Sequence, residues 1–445
     1  MPGKVVPKHD HTPLIFPEGF LWGAATSSHQ VEGGNTLNDW WDYESKGKLK
    51  TNTGEITPSS GAACDQYNKF EEDFKLLKDL GHNAHRLSVE WSRIEPEEGK
   101  FNQEEIEHYK KVLKSLKDKG ISVMLTLHHF TNPVWFSNKG GWENFKSPYY
   151  FERFVQKIVP ELKDYVDLWV TINEPGVYAY GGYTQCHWPP QKKSNWLFFK
   201  VLWNMARAHK KTYKLIHQLV PKAQVGIANN VHSFDVFHHH SILENLTKWG
   251  MDISVNHIFY MLTGKKTHDF LGLNYYFNHY ISFNGEAKLP KMVDITMSRR
   301  EVSDMGWEIA PEGMFDILMD FTDFHLPIYI TENGIATSND DRRIRFLLSY
   351  LKEIYHAINA GANVKGYFHW SFMDNFEWAD GFEPRFGLVE VDYETQERIP
   401  RPSALIYKDI IKNNGIRHDL MKFLGHRIHA DEVIEIPGLG KLKEA

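Results

Sequence analysis

Apolar positions along this chain change period again and again. Short apolar runs give way to longer stretches in which apolar residues recur every three or four positions, and then the pattern repeats. Residues 20–26 (FLWGAAT) read as a first strand, and residues 65–80 as a helix. That helix sets Phe70, Phe74, Leu77 and Leu80 on one face and stops at Gly81. Residues 85–91 read as a second strand, alternating. Residues 103–119 form an amphipathic helix with Ile106, Tyr109, Leu113 and Leu116 inward. Further strands are predicted at 122–127, 166–172, 225–228 (short), 270–276, from 328, and at 364–370. Helices are predicted at 149–164, 196–219, 313–324, 342–360 and 403–413, with a mixed, mostly helical stretch at 241–263. Residues 31–62 are polar and Gly-rich and read as loop.

Strands alternating with helices predict an α/β fold with a parallel sheet, and eight strands are the number that closes into a filled barrel. A doubly wound open sheet is the competing architecture. It brings a Gly-rich phosphate turn after its first strand, whereas this chain has Ser27-Ser28-His29-Gln30 there. The expectation is a (β/α)8 TIM barrel in one domain, with its core over about 16–413, a lead-in at 1–15 and a tail at 414–445.

Composition narrows the partners. The net charge of −6 is spread along the chain, so neither nucleic acid nor an anionic membrane is an expected partner. No apolar run is long enough to span a bilayer, and the polar, proline-broken start does not read as a signal peptide. The two cysteines, Cys64 and Cys186, make no framework and fit a reducing, cytoplasmic setting. Asn245-Leu246-Thr247 matches a glycosylation sequon but reads as ordinary helix. Aromatic content is 14%, with 14 Trp, enough to wall a sugar site as well as fill a core.

Polar residues collect where the predicted strands end. Gln30 follows strand one, Arg86 lies on strand two, and His129 ends strand three. Asn173 and Glu174 end strand four, Asn274 and Tyr276 strand six, Glu332 strand seven and Trp370 strand eight. Each alone has a plainer explanation; together they mark the rim where barrel enzymes carry their sites. Glu332 closes an apolar strand and is followed by Asn333 and Gly334, the glycine giving the chain freedom to turn away. Two carboxylates across a cleft are what acetal hydrolysis requires, one as nucleophile or base and the other as a protonated acid. Arg86, Tyr276 and Asn173 are suited to keep Glu332 ionised and oriented. Residues 374–382 (DNFEWADGF) add the amides, carboxylates and aromatic walls that a sugar site needs. His238-His239-His240 has no carboxylate cluster at ligand spacing and reads as a solvated loop, so no metal or cofactor is expected.

These residues bring the chain into register with a known family. It resembles glycoside hydrolase family 1, the retaining β-glycosidases, from residue 16 to about 413. The motifs are FLWGAATSS at 20–28, RLSVEWSRI at 86–94, TINEP at 171–175, ITENG at 330–334, GYFHWS at 366–371, DNFEW at 374–378 and RFGL at 385–388. The resemblance implies Glu332 as nucleophile and Glu174 as acid/base. It implies Gln30, His129, Asn173, Glu377 and Trp378 as ligands of the first sugar, Trp370 as its stacking floor, and Trp307 as a wall of the leaving-group site. Arg86, Asn274 and Tyr276 are implied as partners of the nucleophile. Glu377 and Trp378 stand where relatives acting on 6-phosphorylated sugars carry a phosphate-binding set, so an unphosphorylated glycone is expected. The expected partners are small β-glycosides or short oligosaccharides; a catalytically weak glycan-binding protein of the same fold is the alternative. Two departures stand out. Phe130 occupies a position where the family usually has Trp, which removes an indole donor. The segment between 230 and 269 is shorter than the family norm, so thin helical cover and raised mobility are expected there.

Overall fold

The computed structural model describes residues 12–282, 291–293 and 301–425; the expected lead-in before residue 12 and tail beyond 425 lie outside these. Strands covered on both faces read as apolar runs, as LWGAA, SVMLT and LWVTI do here, and eight strands occupy the centre of the molecule. They are β1 (Leu21–Ala25), β2 (Ala84–Ser88), β3 (Ser122–Thr126), β4 (Leu168–Asn173), β5 (Gln224–Val236), β6 (Leu271–Ser282), β7 (Ile328–Asn333) and β8 (Val364–Trp370). All neighbours pair in parallel in the order β5-β4-β3-β2-β1-β8-β7-β6, and a β5–β6 pairing closes the ring. This is the expected (β/α)8 barrel.

Two apolar layers follow from the pleat, because successive side chains point to opposite faces. Ala84, Met124, Val170, Ala228 and Phe368 belong to a small inner cluster. Their strand neighbours Val123, Leu125 and Trp169 belong instead to the large cluster shared with the helices. Those helices are α1 (Gln66–Asp79), α2 (Gln103–Asp118), α3 (Ser147–Leu162), α4 (Asn195–Leu219), α5 (Ile242–Asp252), α6 (Glu312–Asp320), α7 (Asp340–Asn359) and α8 (Pro402–Lys412). Local chemistry sets their starts. Asn102 accepts from the backbone N–H of Glu104 at 2.9 Å to cap α2, and Asn339 accepts from Arg342 at 3.2 Å to cap α7. Leu14–Ile15 pairs antiparallel with Gly415–Ile416, which ties the two ends of the described chain together.

Three expectations are corrected. The second strand ends at Ser88, and Trp91–Ile94 turns into a short helix capped by Glu90, whose carboxylate accepts from Ser92 Oγ at 2.6 Å. The loop at 31–62 contains a helical turn, Asp39–Glu44, capped by Asn38. The fifth strand is not short: β5 runs for 13 residues beside a β6 of 12. The polar run Asn229, Asn230, His232, Ser233 lies past the expected strand end at 228, yet each residue pairs across to β6, as Asn230 does to Asn274. Outside β5 and β6, the cover over 241–263 consists of α5, a wider turn at Ile253–His257 and the helical turn Ile258–Thr263. His238 of the histidine run is tied down rather than simply solvated: its backbone N–H donates to one oxygen of the buried Glu244 carboxylate and its Nδ1 meets the other, at 2.8 Å each.

Candidate active site

Register places the polar rim. Asn230 on β5 lies beside Asn274 on β6, which lies beside Glu332 on β7, so three strands present these side chains at one height. Glu174 follows β4 directly. Its backbone N–H donates to the Ala228 carbonyl at 2.7 Å and its φ is 41°, a left-handed conformation uncommon outside glycine. Pro175 then opens the next helical turn. At β7 the reason for Gly334 differs from the expected freedom to turn. A Cβ at that position would fall 1.6 Å from the Trp370 carbonyl oxygen, so only glycine lets β7 pass β8 and leave the Glu332 carboxylate on the inner face.

A cavity of about 330 Å³ opens here, lined by Glu174, Glu332, His129, Asn173, Tyr276 and Glu377 among others. Trp370, Trp378, Trp307 and Phe130 supply aromatic walls. Glu332 holds the better-compensated charge. Arg86 Nη1 donates to its Oε1 at 2.5 Å, and Tyr276 Oη donates to its Oε2 at 3.0 Å. The guanidinium is itself fixed: it also donates to the Thr331 carbonyl at 3.0 Å and to Asn173 Oδ1 at 2.5 Å. Burial raises the Glu332 carboxyl above its usual range, and Arg86, Tyr276 and Asn274 oppose that rise.

Glu174 has amides in hydrogen-bond contact, while the nearest cation, Arg86, acts on it only at longer range. Asn274 Nδ2 donates to its Oε1 at 2.8 Å, and Asn230 Nδ2 to the same oxygen at 3.3 Å. Burial, reinforced by the charge of Glu332, pushes its carboxyl up to about 8. Two coupled carboxyls share their protons, and the guanidinium decides where the first one rests: on Glu174. Because both hydrogen bonds arrive at Oε1, the proton belongs on Oε2.

His129 is neutral, since burial and the nearby Arg86 charge hold its imidazole well below the usual range. Its Nε2 faces Asn173 Nδ2 at 3.3 Å and must accept, so the ring proton sits on Nδ1. That buried Nδ1 has no hydrogen-bond partner among the described residues and belongs to a cavity-lining side chain. His129 lies parallel to Trp370 and Trp378, with ring centroids 6.0 and 6.1 Å away. Glu377 is raised well above the carboxylate range by burial and by Asp380, Glu332 and Glu174. Glu174, Glu332, Glu377 and Asp380 thus line one cavity, where the ionised Glu332, paired with Arg86, favours positive charge developing beside it.

The predicted residues fall into two groups. Glu174, Glu332, His129, Asn173, Tyr276, Trp307, Trp370, Glu377 and Trp378 all line the cavity. Gln30, Arg86 and Asn274 stand behind it. Gln30 is buried with its amide nitrogen donating to Glu377 Oε2 at 3.3 Å, to Asn375 and to the Phe376 carbonyl. Asn274, expected beside the nucleophile, makes its direct hydrogen bond to Glu174 and lies between the two carboxylates. The reading of the sequence missed Asn230, Trp188, Phe277 and Phe386, which also line the cavity. Asn230 was legible only as an amide just past a strand thought to end at 228. Trp188 sits in a loop with no periodicity, 4.9 Å from Phe130 by ring centroids, and its signal was simply its indole.

Comparison with known proteins agrees with this geometry. The model of "Glycosyl hydrolase family 1" matches residues 12–241 and 240–416. The 1,4-beta-D-glucan glucohydrolase of Thermotoga neapolitana is 34% identical over 447 residues, covering 90% of this chain and 99% of that protein. Beta-glucosidase A of Thermotoga maritima is 33% identical over 450 residues, covering 90% and 98%. Among solved structures, the beta-glycosidase from Pyrococcus horikoshii superposes with a TM-score of 0.85 at 38% identity, over 94% of this chain and 99% of that one. Fold and site define a barrel glycosidase. The chain belongs to glycosyl hydrolase family 1.

Proposed function

We infer that this protein hydrolyses terminal β-D-glycosidic bonds by double displacement with retained configuration. The observation that carries this is the unequal treatment of two buried carboxylates in one cavity. Glu332 has a guanidinium and a phenol and stays ionised; Glu174 has only amides in hydrogen-bond contact and keeps its proton. Glu332 attacks the anomeric carbon while Glu174 Oε2 delivers its proton to the departing oxygen. The covalent glycosyl-enzyme is then opened by a water from which Glu174, now ionised, takes a proton. In retaining enzymes the two carboxyls lie about 5–5.5 Å apart, which leaves no room for a water between nucleophile and sugar. The acidic surroundings stabilise the oxocarbenium character of both transition states.

Specificity follows from the rest of the cavity. His129 offers an unpaired N–H donor, and Asn173 and Glu377 offer further groups for ring hydroxyls, with Gln30 holding Glu377. Glu377, packed among Asp380, Glu332 and Glu174, offers a 6-phosphate an acidic surround and, among the described residues, no positive charge to pair with, so the glycone is unphosphorylated. Glucose and galactose differ in one hydroxyl orientation, and Glu377 can accept from either; β-glucosides are the first substrates, with β-galactosides and β-fucosides beside them. Phe130 packs between Trp188 and Trp378, keeping the wall aromatic but contributing one hydroxyl donor fewer than Trp would. Trp307, packed 4.6 Å from Phe277 by ring centroids, forms the leaving-group side. The two cysteines are free thiols, in keeping with a cytoplasmic enzyme, and no helix among the described residues is long and apolar enough to cross a membrane.

A panel of 4-nitrophenyl β-glycosides tests the assignment. Turnover of the glucoside, and none of the 6-phosphoglucoside, is expected; no turnover of any unphosphorylated β-glycoside makes the protein a glycan-binding relative instead. The pH profile of kcat/KM carries a sharper signature. Activity needs Glu174 protonated, so it falls as pH rises through about 8, and it needs Glu332 ionised, so it falls again on the acid side. The expected curve is a bell whose alkaline limb lies near 8.

A further inference from the structure

The proposed catalytic acid is held from outside the cavity by a chain of side chains that starts within the shortened segment between 230 and 269. Asn230, which donates to Glu174 Oε1, presents its other amide atom, Oδ1, to His232 Nε2 in a short hydrogen bond. An amide oxygen only accepts, so His232 must carry its proton on Nε2. His232 Nδ1 is then the acceptor for His279 Nε2, 2.9 Å away on β6. The tautomer of His232 is thus fixed from one side, and it fixes the orientation of the Asn230 amide on the other. Without it, the amide could rotate its oxygen toward the Glu174 carboxylate.

His232 is also clamped through its backbone. The buried Asn256, on the turn Ile253–His257, accepts from the His232 N–H and donates to the His232 carbonyl, both at 2.8 Å. It donates again to Asp252 at 2.6 Å, and its carbonyl accepts from Asn229 Nδ2 at 3.1 Å. One residue on, His257 pairs with Asp320 at the end of α6 at 2.7 Å and lies parallel to Phe321 at 5.0 Å. The shortened segment is thus pegged to β5 and α6 at the point where it supports His232.

We propose that His232 is a positioning residue for Glu174, acting through Asn230, and that Asn256 holds it in place. The proposal rests on the assignment of Glu174 as the acid/base. The groups that face Glu174 are Arg86 from β2, Asn230 from β5, Asn274 and Tyr276 from β6, Glu332 from β7 and Glu377 beyond β8. Those facing His232 are Asn230, His279 and Phe277, with Asp252 behind Asn256; Asp235, further along β5, acts on Asp316 of α6. Burial and the neighbouring His279 keep His232 neutral across the working range, so it orients without titrating there.

His232→Ala and His232→Gln test this together. In His232→Ala, a donor that stabilises ionised Glu174 is lost, so the alkaline limb of kcat/KM moves up by about one pH unit. kcat/KM for 4-methoxyphenyl glucoside falls about tenfold while that for 2,4-dinitrophenyl glucoside stays within about twofold, because only the poor leaving group needs the acid. His232→Gln keeps a donor within reach of Asn230 and restores both readouts toward wild type. A loss shared equally by both substrates with the alkaline limb unmoved, which is what partial misfolding gives, overturns the proposal, and so does an unchanged His232→Ala enzyme. Carbon-13 NMR titration of Glu174 in wild type and His232→Ala reads the same pKa without turnover. It shifts if the positioning is right, and it decides the point even if the glycosidase assays fail and sink the assigned activity.

Discussion

Glu332→Gln leaves the shape of the site in place and removes the proposed nucleophile, and kcat is expected to fall by more than about 10⁴-fold on every glycoside, activated or not. The amide cannot form a stable ester with the anomeric carbon, and no second group takes over the attack in a retaining site. KM is expected to change little, because His129, Asn173 and Glu377, the proposed partners of the ring hydroxyls, still line the cavity. The same substitution leaves the buried Arg86 guanidinium without its anion. Breaking such a pair costs about 3–5 kcal/mol when nothing compensates. Asn173 and the Thr331 carbonyl still accept from Arg86, so the loss falls at or below the lower end of that range. A thermal melt beside the assay separates the two effects: full loss of turnover with a folded protein is the expected result.

Glu174→Ala gives a different pattern, and the difference identifies the acid. For an alkyl or unactivated aryl glucoside, bond cleavage needs a proton, and kcat/KM falls by about 10²–10⁴-fold. For 2,4-dinitrophenyl glucoside the leaving group departs unaided, so kcat/KM stays near wild type. Its kcat nevertheless drops, since the second step has lost its base, and KM drops with it as the glycosyl-enzyme accumulates. Added azide, a small anion able to enter the space left by the side chain and needing no base, restores kcat and gives a β-glycosyl azide. Equal losses for both leaving groups, and no response to azide, would place the acid elsewhere.

Much of this was legible in the sequence because the responsible forces are local. The strand and helix periods, the caps and the carboxylate that ends the apolar run at 328–332 each leave a mark within a few residues. The motifs around Glu174, Glu332 and Glu377 placed the family. The unread part was non-local. Asn230 lay past the expected strand end because a polar run after a short apolar one has no strand signature; its strand exists because β6 pairs with it along its length. Asn274 was expected beside Glu332, where register does put it, but its hydrogen bond to Glu174 crosses to another strand tip and leaves no mark in the sequence. Gly334 was given the generic reason for a glycine, whereas the cause is the backbone of a strand 36 residues away in number (370 against 334), whose carbonyl leaves no room for a Cβ. The shortened segment between 230 and 269 showed its length but not its anchor: nothing in the string marks Asn256 as the clamp on His232.

The most direct test of the account is to trap the covalent intermediate. A 2-deoxy-2-fluoro β-glucoside with a 2,4-dinitrophenyl leaving group slows both steps, because the fluorine disfavours positive charge at the anomeric carbon, while the good leaving group keeps the first step workable. Time-dependent inactivation is predicted, with release of one equivalent of dinitrophenol and one fluoroglucosyl unit found by peptide mass spectrometry on Glu332. Turnover without any labelled peptide, or the label on another residue, would contradict it.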